Sequence, residues 1–378
     1  MINPNYIYSV AFLFVMAIYQ LRWSDLYPTL NSAILTLLFV TILVNLLIGH
    51  FSSKMNLTKS RIEELSKMNL PRLILFTLFL LLLWTIDKAF GDIPTFHIVL
   101  VTFTSFYNCY IFSRYLIEKK TTQFFVFIIL FLTTAILSTY RILIFFNLIT
   151  CLLTYIYIKN PFKSTIGKIL VGISLIGLFY VFGVMGNNFK GHETGKVILV
   201  IGGATDEFKS SFVPDEYFWI YLYASSPLAN LELNISANNS IQPSMRGYFV
   251  WGISEFLPDF ISKKIFPLLG EKQLDGIQVN SALNVSTVYL RSFRYASWFG
   301  LTIMALFIAV FPIIYLYLIR NSKYFIIGLV SISTLYMFLV FDNIFAFSPL
   351  SFQLVYPFFG IYRITNRSTD DNQSYEKK

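Results

Sequence analysis

The chain has 378 residues, 56% of them hydrophobic and only 13% charged, against about a quarter charged in an ordinary soluble domain. That excludes a soluble enzyme. At roughly 20 residues per membrane-crossing helix the apolar share is enough for about ten crossings, so the composition describes an all-α polytopic membrane protein. The net charge of +9 would point to nucleic acid in a soluble domain. Here the position of each charge relative to the apolar segments matters instead, and nucleic acid is not an expected partner.

The first apolar segment, from Tyr6 to Gln20, follows a short uncharged start and has no small-residue cleavage site behind it. It reads as a retained helix, not a signal peptide. Apolar stretches recur at about 29–50, 71–87, 96–113, 122–139, 142–158, 167–186, 299–319, 324–341 and 350–364, making about ten transmembrane helices. The last is short and contains Pro357, so a broken or re-entrant helix is its alternative. Cys109 and Cys151 both fall inside apolar runs and form neither a disulfide framework nor a CxxC site.

Basic residues set the orientation. With the N-terminus inside, the inner segments hold 17 Lys and Arg, and the short outer loops hold Arg22, Lys88 and Arg141 alone. This bias places both termini in the cytoplasm. Trp23, Trp84, Trp219, Trp251 and Trp298 all fall on or beside the outer side, as in an aromatic belt or a sugar-stacking surface. The expected organisation is residues 1–186 with helices one to seven, an outer loop at 187–298, helices eight to ten at 299–364, and a cytoplasmic tail at 365–378. The loop is expected to carry short interfacial helices. Within it, Phe249, Ile253, Phe256, Leu257, Phe260 and Ile261 share one helical face, turned away from Ser254, Glu255 and Asp259. This reads as an amphipathic helix on the membrane surface, or a lid over a site, kinked at Pro258.

Walker A, GxSxG, HExxH and GxGxxG signatures are absent from the sequence, so no cofactor or metal is expected. Arg141 lies in the tight turn Leu137-Ser138-Thr139-Tyr140-Arg141 between two apolar runs. An ionisable group at the hydrocarbon boundary is expensive and is kept for a partner. Arg291 and Arg294 are three apart and share a helical face ahead of the eighth helix; paired planar forks suit a diphosphate. Arg246 is a weaker member of the same group. Asp215, Glu232 and Glu255 are flanked by aromatic or apolar residues, a setting that favours a raised pKa and a general-base role. His192 is a further candidate base, whereas His50 and His97 read as packing residues. Trp219, Tyr221 and Trp251 offer flat faces for sugar rings. The sequons at Asn234, Asn238 and Asn284 carry no function by themselves.

The length, about ten helices, a large late outer loop, the Arg at the outer turn of the fifth and sixth helices, and the run Asn284-Val-Ser-Thr followed by Trp298-Phe299-Gly300 together resemble the bacterial Wzy-type oligosaccharide repeat-unit polymerases, the O-antigen and capsular polysaccharide polymerase family. The family's Ser-Gly-Ser-Arg-Gly-like turn reads Leu-Ser-Thr-Tyr-Arg-Ile here, with the Ser and Arg kept and the glycines lost. The segment from Tyr221 to Leu231 is similar to the family's loop segment ahead of the acceptor region. The resemblance implies a membrane glycosyltransferase of the C type. It would transfer a growing glycan from undecaprenyl diphosphate onto a lipid-linked repeat unit, beside a flippase and a chain-length regulator. A flippase for lipid-linked oligosaccharide, a related glycan ligase and a membrane acyltransferase are the rival readings.

Overall fold

The computed structural model describes residues 2–54, 70–90, 94–137, 141–189, 196–238, 240, 244–271, 274 and 276–361. These residues are helical or irregular, and among them the only strand-like pairings are two isolated bridges. His192 and the tail at 365–378 lie outside the described residues, as does the side chain of Arg141.

Seven helices come first: α1 (Pro4–Tyr19), α2 (Ser32–Lys54), α3 (Leu70–Ala89), α4 (Pro94–Glu118), α5 (Thr121–Leu137), α6 (Arg141–Lys159) and α7 (Thr165–Phe189). Shorter elements follow as α8 (Lys196–Ile201), α9 (Asp206–Lys209), α10 (Glu216–Ser236), α11 (Met245–Phe256) and α12 (Asp259–Leu268). The chain closes with α13 (Tyr289–Ile319), α14 (Phe325–Phe338) and the short α15 (Ser348–Ser351). Among the described residues, four helices are long and apolar enough to cross a membrane: Ser32–Lys54, Phe96–Glu118, Ile142–Lys159 and Tyr289–Ile319. Pro4–Tyr19, Thr121–Ala135, Thr165–Val181 and Phe325–Phe338 are apolar but shorter.

Why these segments are helices is plain in α1, where Asn3 caps the start by accepting from the Asn5 amide at 3.0 Å and Pro4 occupies the first turn. Tyr8, Phe12, Val15 and Tyr19 are buried, while Val10, Leu13 and Phe14 are exposed. The same division recurs on other helices, with Phe39, Leu43 and Leu47 on α2 and Ile169, Ile173 and Ile176 on α7 facing outward. Apolar rows of this extent on a protein's exterior match hydrocarbon, not water. Between helices, polar side chains pair: Asn5 Nδ2 donates to Asn45 Oδ1 at 2.8 Å, Asn147 to Ser105 at 3.2 Å, and Thr150 to Thr334 at 3.1 Å. Each removes an unsatisfied group from an apolar interior.

One end of this bundle is capped by the segment between α7 and α13. The Asp25 amide donates to the Gly203 carbonyl at 2.8 Å, and the Tyr27 hydroxyl donates to Leu222 O at 3.4 Å. Gly183 of α7 passes so close to Glu216 that an added Cβ would stand 2.2 Å from its carbonyl oxygen. At the far end of α10, Glu232 accepts from the Asn31 amide at 2.8 Å, just ahead of α2. Helix α10 therefore lies across the bundle end where α1 and α7 finish and α2 begins, spanning about 30 Å at 1.5 Å per residue. Asn230 and Asn234, one turn apart on α10, hold the extended segment after α12. Asn230 donates to Leu283 O and Val285 O at 2.7 Å each and accepts from Val279 N at 2.8 Å. Asn234 bonds both backbone groups of Ile277.

Two expectations change at this end. The amphipathic segment is two helices, with α11 ending at Phe256 and α12 starting at Asp259 across Leu257-Pro258. Its polar side faces protein: Ser254 and Glu255 are buried, whereas Phe249 and Phe256 are exposed. The expected start of a helix near 299 corresponds to a break inside α13, at Ala296 and at Ser297, whose φ is +51°. Gly300 makes the turn possible, because a Cβ there would lie 2.3 Å from the Ser292 carbonyl oxygen.

The final segment does not form a long helix. After α15 it continues as 3-10 turns at Phe352–Leu354 and Tyr356–Gly360 and reaches the α13–α14 turn through the Ser322–Ile361 bridge. Protein covers this irregular backbone: the Tyr315 hydroxyl donates to Leu354 O at 3.1 Å, and Thr102 and Tyr356 join hydroxyls at 2.8 Å.

Candidate active site

Helices α11 and α13 meet at the capped end, and the loop between α14 and α15 closes over them. Glu255, in the last turn of α11, is fully buried. Asn343 donates from Nδ2 to its Oε2 and to its main-chain oxygen, both at 2.9 Å. Ser254 Oγ donates to Oε1 at 3.2 Å, and Ser292 Oγ donates to Oε2 at 3.4 Å. Ser292 in turn accepts from Trp251 Nε1 at 3.1 Å. One helical position before Ser292, the Arg291 guanidinium pairs with Asp342 at 2.9 Å. Its side chain is 26% exposed and that of Asp342 41%, so the pair stands at the surface above the buried carboxyl.

Burial pushes the Glu255 carboxyl up to about 7, and the nearby Asp342 carboxylate adds to this. The charge of Arg291 and the bonds from Asn343 and Ser254 act the other way. A carboxyl poised near neutrality accepts or gives a proton with little free-energy cost. Asp259, four residues on, behaves oppositely: burial raises it, but bonds from Ser348 and Lys263 outweigh burial and hold it below the usual carboxylate range. Its Oδ1 accepts from the Ser348 amide at 3.2 Å and its Oδ2 from Lys263 at 3.0 Å. The 339–348 loop is thus laced to both α11 and α12.

Of the residues singled out from sequence, the fold brings Glu255, Arg291 and Trp251 together, with Arg294 one turn beyond Arg291 in the same short helical stretch. Arg246 lies apart. It pairs with Glu271 at 2.7 Å and donates to Leu269 O at 2.7 Å, clamping the start of α11 to the end of α12. Glu232 is buried and committed to the Asn31 amide and the Ser236 hydroxyl. Asp215 is exposed ahead of α10 and caps no amide with its side chain. Trp219 and Tyr221 are buried; Tyr221 is covered by Trp23, Tyr27 and Phe218, so its faces are used within the protein. Trp251 is also buried, edge-on to Phe256. Arg141 opens α6. The Phe146–Phe338 contact at 5.9 Å sets that end of α6 beside the end of α14, from which the Asp342 loop departs.

Asp342, Asn343 and Ser292 are the residues missed in the sequence. A signal existed: Asp342 is the lone acid between residues 276 and 369 and is bracketed by apolar runs. The described residues contain no group of three His, Cys, Asp or Glu able to hold a metal. No protein-family profile, curated protein or solved structure matches this chain.

Proposed function

We propose that the protein is a polysaccharide repeat-unit polymerase acting at the outer face of a bacterial cytoplasmic membrane. In this reading α1 to α7, α13, α14 and the irregular final segment are ten crossings. The capped end faces outward and both termini face the cytoplasm. The observation that carries the proposal is the juxtaposition of a buried, near-neutral carboxyl, Glu255, with a partly exposed guanidinium, Arg291, at that end.

Transfer of a glycan from a lipid diphosphate needs two services. The anomeric C–O bond to the diphosphate breaks, and the charge left on the phosphate oxygen is met by Arg291, displaced from Asp342. A new bond forms from the anomeric carbon to the acceptor hydroxyl oxygen, whose proton passes to Glu255. Asn343 and Ser292 fix the carboxyl so that its geometry does not depend on substrate. Arg141 and Arg294 are further cations for the diphosphate in this scheme. The energy resides in the lipid diphosphate, and no nucleotide is required.

The test is a gel of surface glycan from cells lacking the gene, with lipid-linked intermediates extracted from each membrane face. Loss of the ladder with single repeat units still delivered outside supports the polymerase. Repeat units trapped on the inner face would make it a flippase, and an unchanged ladder would remove both readings.

A further inference from the structure

Away from the Glu255 cluster, the last turn of α3 and the first turn of α4 hold a second pair of ionisable groups. Asp87 Oδ2 and His97 Nδ1 lie 2.5 Å apart, with side-chain exposures of 0% and 7%. Asp87 Oδ1 has no hydrogen-bond partner among the described residues. Burying a carboxylate in an apolar bundle costs several kcal/mol unless it is charge-paired, and intramembrane acids of this kind mark proton or ion sites.

The surroundings fit a proton. Trp84 sets its ring edge-on to His97, with centroids 5.6 Å apart, and donates from Nε1 to Thr104 at 3.1 Å. One turn further along α4 begins a narrow crevice between α3, α4, α5 and α6, with a free volume of about 10 Å³, room for about one water, lined by Trp84, Thr104, Ser105, Thr134, Leu143 and Asn147. Hydroxyls and an amide in such a gap are what ordered water needs. Below it Asn108, 1% exposed, has both side-chain amide atoms without partners among the described residues. His97, Thr104, Ser105 and Asn108 recur at helical spacing, so one stripe of α4 is polar where its neighbours are apolar.

We propose that Asp87, His97 and the polar crevice beside them form a buried proton-binding site, separate from the Glu255 cluster, that exchanges with water through the crevice. The proton is shared between Nδ1 and Oδ2, and Asp87 sets the ring's tautomer. Of the other charged groups on these helices, Lys88 adjoins Asp87 and Arg141 opens α6. Arg72, Arg114, Glu118 and Lys159 lie at the opposite end. Helix α5 contributes no charge. The site does not depend on the polymerase reading.

Nitrogen-15 labelling of histidine in the full chain, held in lipid nanodiscs, tests it directly, because the protein has only three histidines. The His97 ring, assigned by loss of its signal in His97→Gln, is expected to show a strongly deshielded Nδ1 proton. That proton is further expected to exchange with deuterium oxide. Asp87→Asn should abolish the deshielding while His50 and His192 stay unchanged. A His97 ring in unaltered protein whose Nδ1 proton is neither deshielded nor exchanged would overturn the site, as would an Asp87→Asn ring identical to wild type. Should Glu255→Gln leave polymer formation normal while His97 behaves as expected, the assignment of the reaction to Glu255 fails and the proton site stands.

Discussion

Asn343 grips Glu255 at two points, the main-chain carbonyl and the side-chain Oε2, with one amide nitrogen 2.9 Å from each. The loop after α14 thereby fixes both the end of α11 and the direction of the carboxyl at its tip. Asn343→Ala removes a donor that favours the ionised form, so the Glu255 carboxyl moves above about 7. The rising limb of activity against pH moves to higher pH with it. Loss of the buried bonds costs about 1–3 kcal/mol, read as a lowered thermal transition in detergent.

Glu255 itself links stability to pH. Its folded-state pKa of about 7 lies above the ordinary 4.5, so the folded protein binds this proton more tightly than the unfolded chain. Stability from this group is complete below about pH 4 and is lost as pH rises through 7. Glu255→Gln keeps the size and cannot ionise. It is expected to match wild type at low pH and to be more stable above neutrality, by on the order of 3 kcal/mol. A thermal-stability series across pH checks the sign, and activity is expected to vanish in the same variant.

The asparagine pair on α10 carries the extended segment ahead of α13. In Asn230→Ala, the Val279 amide and two carbonyls lose their partner. In Asn234→Ala, the same befalls Ile277. Either change should raise hydrogen exchange in residues 276–288 by at least tenfold while leaving α4 and α14 protected. The Asn234 amide is committed in this way, so the sequon it begins offers no acceptor.

The break in α13 places Ser292 against Glu255 and is held by two unusual residues. Ser297 adopts φ +51°, a conformation costing about 1–3 kcal/mol in a residue with a Cβ. Ser297→Gly should therefore stabilise the protein with activity retained. Gly300→Ala drives a Cβ to 2.3 Å from the Ser292 carbonyl and should lower both stability and activity. Thermal unfolding and polymer assays on the two variants read these opposite signs.

Sequence patterning located the apolar helices and marked Pro258 as a break in the amphipathic segment, because hydropathy and proline act locally. It also marked Glu255 and Arg291 through charge set among apolar residues. It could not tell which side of α11 faces inward. In water a polar face turns outward, but beside lipid the apolar side is the exterior and Glu255 goes inside. Asp342 and Asn343 escaped notice because their partners lie far along the chain, 51 residues away for Arg291 and 88 for Glu255. Trp219 and Tyr221 look like open stacking surfaces in sequence, yet pack into the cap because α10 lies flat across the bundle end. His97 looked isolated because its partner Asp87 is visible only when α3 and α4 fold together.

The most direct measurement uses purified protein in lipid nanodiscs supplied with an undecaprenyl-diphosphate-linked repeat unit. Products are separated by length for wild type, Arg291→Gln, Glu255→Gln and the clamp variant Arg246→Gln. Wild type and Arg246→Gln should build a ladder, with Arg291→Gln and Glu255→Gln leaving single units at equal protein level. A ladder from Glu255→Gln or Arg291→Gln indistinguishable from wild type would contradict the assignment of the reaction to this site.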